Sequence, residues 1–398
     1  VGGVTGLSTQ AFTITPPGRI EFARGAIDRL PEAIASVGRS RAFVVTDQGI
    51  AAAGILDRVC ALLDAAGLRS GVFAEVEPNP SVATIDRGAE LARAFGDAAV
   101  VAVGGGSSLD AAKGIALLAA GGGAAADLDL GVEPDVPGLP LVAVPTTAGT
   151  GAETNGFGVI EDTTRHCKVY LGHASVAPRV CVLDPDLTVG LPPRATAATG
   201  VDALVHGIES LTSRGRNPVS EAYAHHAVRI VHRWLPRAVE DGTDLEARAQ
   251  LLLGSHLAGL ALSISGLGLV HGIAHALTAH TGAPHGVALG AVLDRVLEFN
   301  LPSSTTQYAE IAVDMGELDT GGPGEAAAST ISRVREFTAR LGMRTPLAEL
   351  GVTEAMVPDL VRTALADAVT RNTPRLPTGP ELAELLTGLL TESRSAAV

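Results

Sequence analysis

The chain has 398 residues, with 29 Lys plus Arg against 43 Asp plus Glu and a formal net charge of −14. That length implies two domains, and the surplus of negative charge repels phosphate backbones and anionic lipid, so nucleic acid and membrane surfaces are excluded as partners. Hydrophobic residues make up 46% of the chain, enough for a large core, but the longest apolar stretch (98–126) is broken by Asp110 and Lys113 and makes no membrane span. Residues 1–10 lack the basic and apolar regions of a signal peptide, and three cysteines make no disulfide framework, so a cytoplasmic protein is expected. Lys occurs only at Lys113 and Lys168, every other basic side chain being Arg. These two are either chance survivals or positions that need a compact ammonium in place of a planar guanidinium.

Short β-rich runs at 12–15 and 19–22 open the chain. A helix over 26–37, a strand over 42–46, a helix over 50–66, a strand over 71–75, a helix over 83–95 and a strand over 98–103 follow. That alternation predicts a parallel, doubly wound α/β sheet. Further strands are expected at 141–144, 157–160, 168–171 and 179–183. Beyond Leu191-Pro192-Pro193 the pattern turns helical, with helices expected at 195–212, 218–239, 245–263, 267–279, 287–299 and 305–313. The expected organisation is an α/β domain over 1–190 and an all-α domain over 191–398. None of the 11 histidines precedes His166.

The segment VVAVGGGSSLDAAKGIA places Gly104, Gly105 and Gly106 between a buried strand and a helix, where a backbone can approach phosphate and helix N–H groups can receive it. Tight strand-to-helix turns also use glycine for steric reasons alone, and the spacing matches neither GxGxxG nor a P-loop. A second loop, PTTAGTGAE (145–153), also follows an expected strand, and two such loops suit one ligand lying across strand ends. Asp47 closes VVTD, where a carboxylate can accept ribose hydroxyls and repel a 2′-phosphate, favouring NAD over NADP. Its alternative role is to cap the next helix.

Asp202 and His206 lie four apart in GVDALVHGIES and share a helix face. His271, His275, His280 and His285 crowd GLGLVHGIAHALTAHTGAPHG. One Asp and three His make a candidate four-ligand divalent-metal set with room for a substrate oxygen, although any one of these histidines could be structural.

Together GGGSSLDAAK, PTTAGTGAE, ATGVDALVHGIE and the His-rich segment resemble the iron-containing (group III) alcohol dehydrogenases, in order along the chain from about 12 to 390. The resemblance implies a dinucleotide-binding α/β domain, an all-helical metal domain and a cleft between them. It implies metal ligation by Asp202, His206, His271 and His285, with His275 beside the nicotinamide relaying a proton. It places NAD(H) contacts on Asp47, Asn79, Gly105, Gly106, Ser107, Asp110, Thr146, Thr147, Thr150, Lys168 and Leu183. Fe(II) is the expected metal and Zn(II) the alternative. The implied reaction is hydride transfer between a small primary alcohol or aldehyde and NAD, catalysed with Asp202, His271 and His275, in a homodimer paired through N-terminal strands. Phe157, Leu262 and Arg371 are candidate substrate neighbours. An Arg at 371 also suits a reductase of a small anionic aldehyde, such as phosphonoacetaldehyde or succinic semialdehyde. A metal- and NAD-dependent synthase of the dehydroquinate synthase type is the alternative from another class, and two lysines are few for gripping a phosphorylated substrate.

Overall fold

The computed structural model describes residues 12–15, 18–131, 133–163, 167–317 and 321–395. Residues 1–10, read above for a leader, and His166 lie outside them. The chain forms two compact units. One comprises Pro17–Gly200 with Trp234–Gly259, and the other is built chiefly from Val201–Arg233 and Leu260–Val398.

The first unit contains β1 (Arg19–Phe22), α1 (Leu30–Ser36), β2 (Arg41–Asp47), α2 (Gln48–Ala52), α3 (Ile55–Ala65), β3 (Arg69–Val76) and α4 (Val82–Phe95). It continues through β4 (Ala99–Gly104), α5 (Gly106–Gly121), β5 (Leu141–Pro145), β6 (Phe157–Asp162), β7 (Cys167–Gly172) and β8 (Val180–Leu183). Six strands form one parallel sheet in the order β1-β8-β5-β4-β2-β3. β4 and β5 are buried along their whole length, which is why they read as unbroken apolar runs. Alternate side chains of β2 enter opposite cores: Phe43 and Val45 join Phe73, Ile85 and Ile115, while Ala42 and Val44 join Ile27, Leu30 and Leu63.

Several expectations are corrected. Residues 12–15 form no strand. The helix expected over 26–37 is a 3-10 turn (Ala26–Arg29) followed by α1. The one expected over 50–66 breaks at Gly54, whose left-handed φ of +74° separates α2 from α3. The strands expected at 157–160 and 168–171 do not join the parallel sheet. As β6 and β7 they form a separate antiparallel ribbon, because so short a connection permits a hairpin but no crossover. Ile160 and Leu171 of this ribbon pack into the same core as α5.

The helical part consists of α6 (Pro193–Thr212), α7 (Pro218–Glu240), α8 (Leu245–Ser265), α9 (Leu269–Thr281), α10 (His285–Asp314), α11 (Pro323–Arg340), α12 (Val357–Ala366) and α13 (Gly379–Ser395). The helices expected at 287–299 and 305–313 are the two helical stretches that meet at a kink at Ser304 (φ −135°), together designated α10. Pro302 causes the kink, since it has no N–H for the carbonyl one turn earlier. No single helix among the described residues is long and apolar enough to cross a membrane.

In the first unit the PTTAGTGAE loop lies directly on α8. Gly151 (φ +60°) meets Gly259, where an added Cβ would stand 2.7 Å from the Gly151 Cα. Neither backbone can yield cheaply. Gly259→Val is therefore expected to destabilise the protein by about 1–3 kcal/mol, the usual cost of overpacking, measured by urea unfolding; an unchanged midpoint would contradict this packing.

Candidate active site

The second unit gathers the Asp/His set. Asp202 and His206 share a face of α6, His271 lies in the first turn of α9, and His285 begins α10. Three imidazole Nε2 atoms surround one oxygen, Asp202 Oδ1: His206 at 3.1 Å, His271 at 3.4 Å and His285 at 3.7 Å. The His206 and His271 rings stack at 4.8 Å between centroids. Asp202, His206 and His271 are at most 4% exposed, whereas the His285 side chain is 33% exposed and forms the open side.

A metal ion fits three of these residues, Asp202, His271 and His285, with His206 facing the same oxygen but outside that close group. Ligand atoms about 2.1 Å from a tetrahedral ion stand about 3.4 Å apart, and the candidate ligand atoms of Asp202, His271 and His285 lie within 4.8 Å of one another. Asp202 Oδ1 and His271 Nε2 are buried and make no hydrogen bond, as expected of atoms shaped to meet a cation. Burial raises the Asp202 carboxyl, yet the facing imidazoles hold it well below the usual range. Burial takes His206 down to about 4. It would also lower His271, but the carboxylates of Asp202 and Glu209 override it and carry that ring to about 9.

Two carboxylates not singled out from sequence orient these rings. Glu209, one face with Asp202 on α6, accepts from Gly268 N (3.0 Å), Val270 N (2.7 Å) and His271 Nδ1 (2.6 Å). It thereby ties down the start of α9 and turns His271 Nε2 toward Asp202. Asp367 bonds His275 Nδ1 at 2.8 Å. The only sequence signal for Glu209 was its i+7 spacing from Asp202, and Asp367 had none. His280 is exposed, bonded to Thr363, and stands apart from the cluster. Leu262 is buried in α8. Arg371 is exposed, and its neighbour Asn372 binds the chain instead, donating to Ser265 O and Leu267 O and accepting from Gly215 N.

In the first unit a groove of about 570 Å³ is lined by Asp47, Gly105, Gly106, Ser107, Thr146 and Thr147, among others. The first N–H groups of α5 have no side-chain cap and remain available to an anion. Gly104 (φ +148°) has no room for a Cβ, which would fall 2.6 Å from Ser108 Oγ. Thr150 packs on Gly106, and Asn79 N bonds Ser107 Oγ. Lys168 Nζ donates to Asn79 Oδ1 at 2.9 Å. Both readings of Asp47 hold geometrically: Oδ1 caps α2 through Ile50 N, Oδ2 accepts from Ser108 Oγ, and the residue still lines the groove.

Asn79, Asp110, Thr150, Lys168 and Leu183 are not among the residues that line this groove. Asp110 accepts from Val159 N and Lys113 Nζ, pinning the β6–β7 ribbon to α5. Leu183 packs against Cys181 and Leu252. Lys113, wholly buried, also donates to Asn155 Oδ1 and to the carbonyl of Phe157, and burial lowers its pKa. Three acceptors around one nitrogen explain an ammonium where an Arg fork would not fit.

Comparisons with known proteins agree with this architecture. Residues 17–185 match the iron-containing alcohol dehydrogenase model, and 196–390 match the C-terminal model of the same family. The chain belongs to the iron-containing alcohol dehydrogenase family. It is 34% identical to the NAD-dependent methanol dehydrogenase of Bacillus methanolicus over 94% of this chain and 98% of that protein. It is likewise 34% identical to lactaldehyde reductase of Escherichia coli (strain K12), over 92% and 96% of the two chains. A solved 1,3-propanediol oxidoreductase superposes with a TM-score of 0.92 at 34% identity, over 96% of this chain and 100% of that one.

Protein loaded with Fe(II) or Zn(II) is expected to retain about one ion per chain, and Asp202→Asn or His271→Ala to retain none, by elemental analysis. Glu209→Gln should still bind, with affinity lowered about 10–100-fold in competition against a chelating dye. Wild-type affinity in that variant would remove the orienting role of Glu209.

Proposed function

We propose that this chain is an NAD(H)- and metal-dependent alcohol dehydrogenase and aldehyde reductase acting on small primary alcohols or aldehydes. The observation that carries the reading is the carboxylate oxygen of Asp202, buried without a hydrogen bond and faced by the Nε2 atoms of His206, His271 and His285. Those four residues would hold Fe(II), with Zn(II) as the alternative. When bound, the metal supplies Lewis acidity to the substrate oxygen, and the nicotinamide supplies or accepts the hydride.

The chain's own residues do the rest. Asp367 accepts from His275 Nδ1, so His275 Nε2 carries the lone pair. Burial lowers the His275 pKa against the pull of Asp367, which keeps that nitrogen neutral and able to take the alcohol proton or return it. Around the groove, the α5 N-terminus, Ser107, Thr146 and Thr147 would receive the pyrophosphate, while Asn79 and Lys168 would bind the nearby ribose. Asp47 would bind the adenosine ribose and reject a 2′-phosphate.

The test is NADH oxidation against a panel of neutral and anionic aldehydes, comparing metal-free protein with protein loaded anaerobically with Fe(II) or Zn(II). Metal-dependent turnover that disappears in His271→Ala supports the reading; binding of metal without turnover on NADH or NADPH sinks it. Asp47→Gly is expected to improve KM for NADPH relative to NADH about tenfold. For assembly, we propose a homodimer paired through β1, an edge strand whose Ile20 and Phe22 are 40% and 42% exposed. Light scattering should give twice the 40.3 kDa chain mass, and Ile20→Lys should give the monomer.

A further inference from the structure

Behind Glu209 lies a buried polar layer with no part in the chemistry above. Asn300, Ser304 and Tyr308 recur every four residues along α10, on either side of and at its kink, with exposures of 4%, 1% and 0%. Thr373, fully buried, sits in the turn before α13. Asn300 Oδ1, Ser304 Oγ, Tyr308 Oη and Thr373 Oγ1 all lack a hydrogen bond. Each such orphan calls for an explanation, because buried hydroxyls and amides mostly find a partner in protein or ordered water.

Thr373 and Tyr308, the latter with Asn300 beside it, lie near the metal set's support. Thr373 and Glu209 flank one face of Gly268: a Cβ there would stand 2.9 Å from Glu209 Oε1 and 3.7 Å from the Thr373 Cα. Arg375 donates to Phe299 O at 3.1 Å and lies over the Phe299 ring at 4.0 Å, which holds this turn along α10 beside Asn300. Burial and the Glu209 charge both raise the Tyr308 phenol's pKa while Asn300 opposes them, so the hydroxyl lies within electrostatic reach of both. Glu209 already accepts three hydrogen bonds from α9 and its approach, and a carboxylate has about four acceptor positions. The kink at Ser304 opens the helix ladder within this layer.

We propose that Asn300, Ser304, Tyr308 and Thr373 hold an ordered cluster of internal water that hydrogen-bonds the remaining acceptor position of Glu209. Tyr308 and Thr373 are then positioning residues for His271, acting through water and Glu209. Polar, enclosed sites offering two to four partners are where proteins keep such water. The positioning role rests on the assignment of His271 as a metal ligand.

Tyr308→Phe removes one oxygen and keeps the shape. In a dry layer it deletes an unpaired polar atom, so Tm would stay or rise. With the water cluster present, Tm of the metal-free protein should fall by about 2 °C or more, and metal affinity should drop about fivefold. Thr373→Val should act likewise, and the double variant should lose less than the sum, since both bind one cluster. An unchanged or higher Tm in Tyr308→Phe, or strict additivity, overturns the proposal. So does a lower Tm with unchanged metal affinity, which leaves no positioning role. A wild-type chain that binds no metal defeats the ligand assignment and the positioning role with it, while the metal-free Tm arm still decides separately whether the water is there.

Discussion

One oxygen atom, Asp202 Oδ1, is buried without a hydrogen bond among three imidazole nitrogens, and the second unit is organised around that constraint. A buried carboxylate is tolerable only when positive charge or hydrogen-bond donors face it. Here α6 brings Asp202 and His206 on one face, the first turn of α9 brings His271, and α10 begins with His285. Glu209 joins the first two of these helices by fastening the backbone at Gly268 and Val270 while it turns the His271 ring. The same carboxylate thus serves fold and site at once, and neither ring orientation nor helix start can shift independently of the other.

The first unit meets a different demand, close approach of backbone to ligand. Gly104 and Gly106 leave no room for side chains beside Ser108 and Thr150, so the turn into α5 is both sterically necessary and open to an anion. The antiparallel ribbon is held to α5 from below by Asp110 and Lys113, and from its edge Lys168 reaches Asn79. The two lysines of the chain therefore both bind acceptors in confined space, one fully buried and one with a side chain 9% exposed. Elsewhere Arg serves, at the surface and also at the buried Arg248, whose fork reaches Gly242 O, Thr196 Oγ1 and Leu191 O.

Much of this was legible in the residues. The parallel sheet could be read because β4 and β5, covered on both faces, are continuous apolar runs. The Asp/His set could be read because ligands that share a helix face must lie three or four apart. What could not be read was set by contacts distant in sequence. The short connection between β6 and β7 calls for a hairpin, but nothing local says that this hairpin packs on α5, and nothing near position 367 says that its carboxylate meets His275. Nor does anything local show that Asp110, a motif position expected at the cofactor, sets one carboxylate oxygen on Lys113 Nζ and the other on Val159 N of the ribbon. Arg371 drew notice as a cation, but its neighbour Asn372 makes the contacts.

Local periodicity, glycine placement and metal-ligand chemistry, all encoded over a few residues, determined the fold class, the helical second half, and the group of Asp and His side chains within which the gathering set falls, the family resemblance naming its members. Tertiary structure alone decided which carboxylate orients which ring, where α10 bends into a polar layer, and which lysine is buried. Those outcomes depend on packing between elements tens to hundreds of residues apart. Their free energies come from desolvation and hydrogen-bond geometry, which no short stretch of sequence carries by itself.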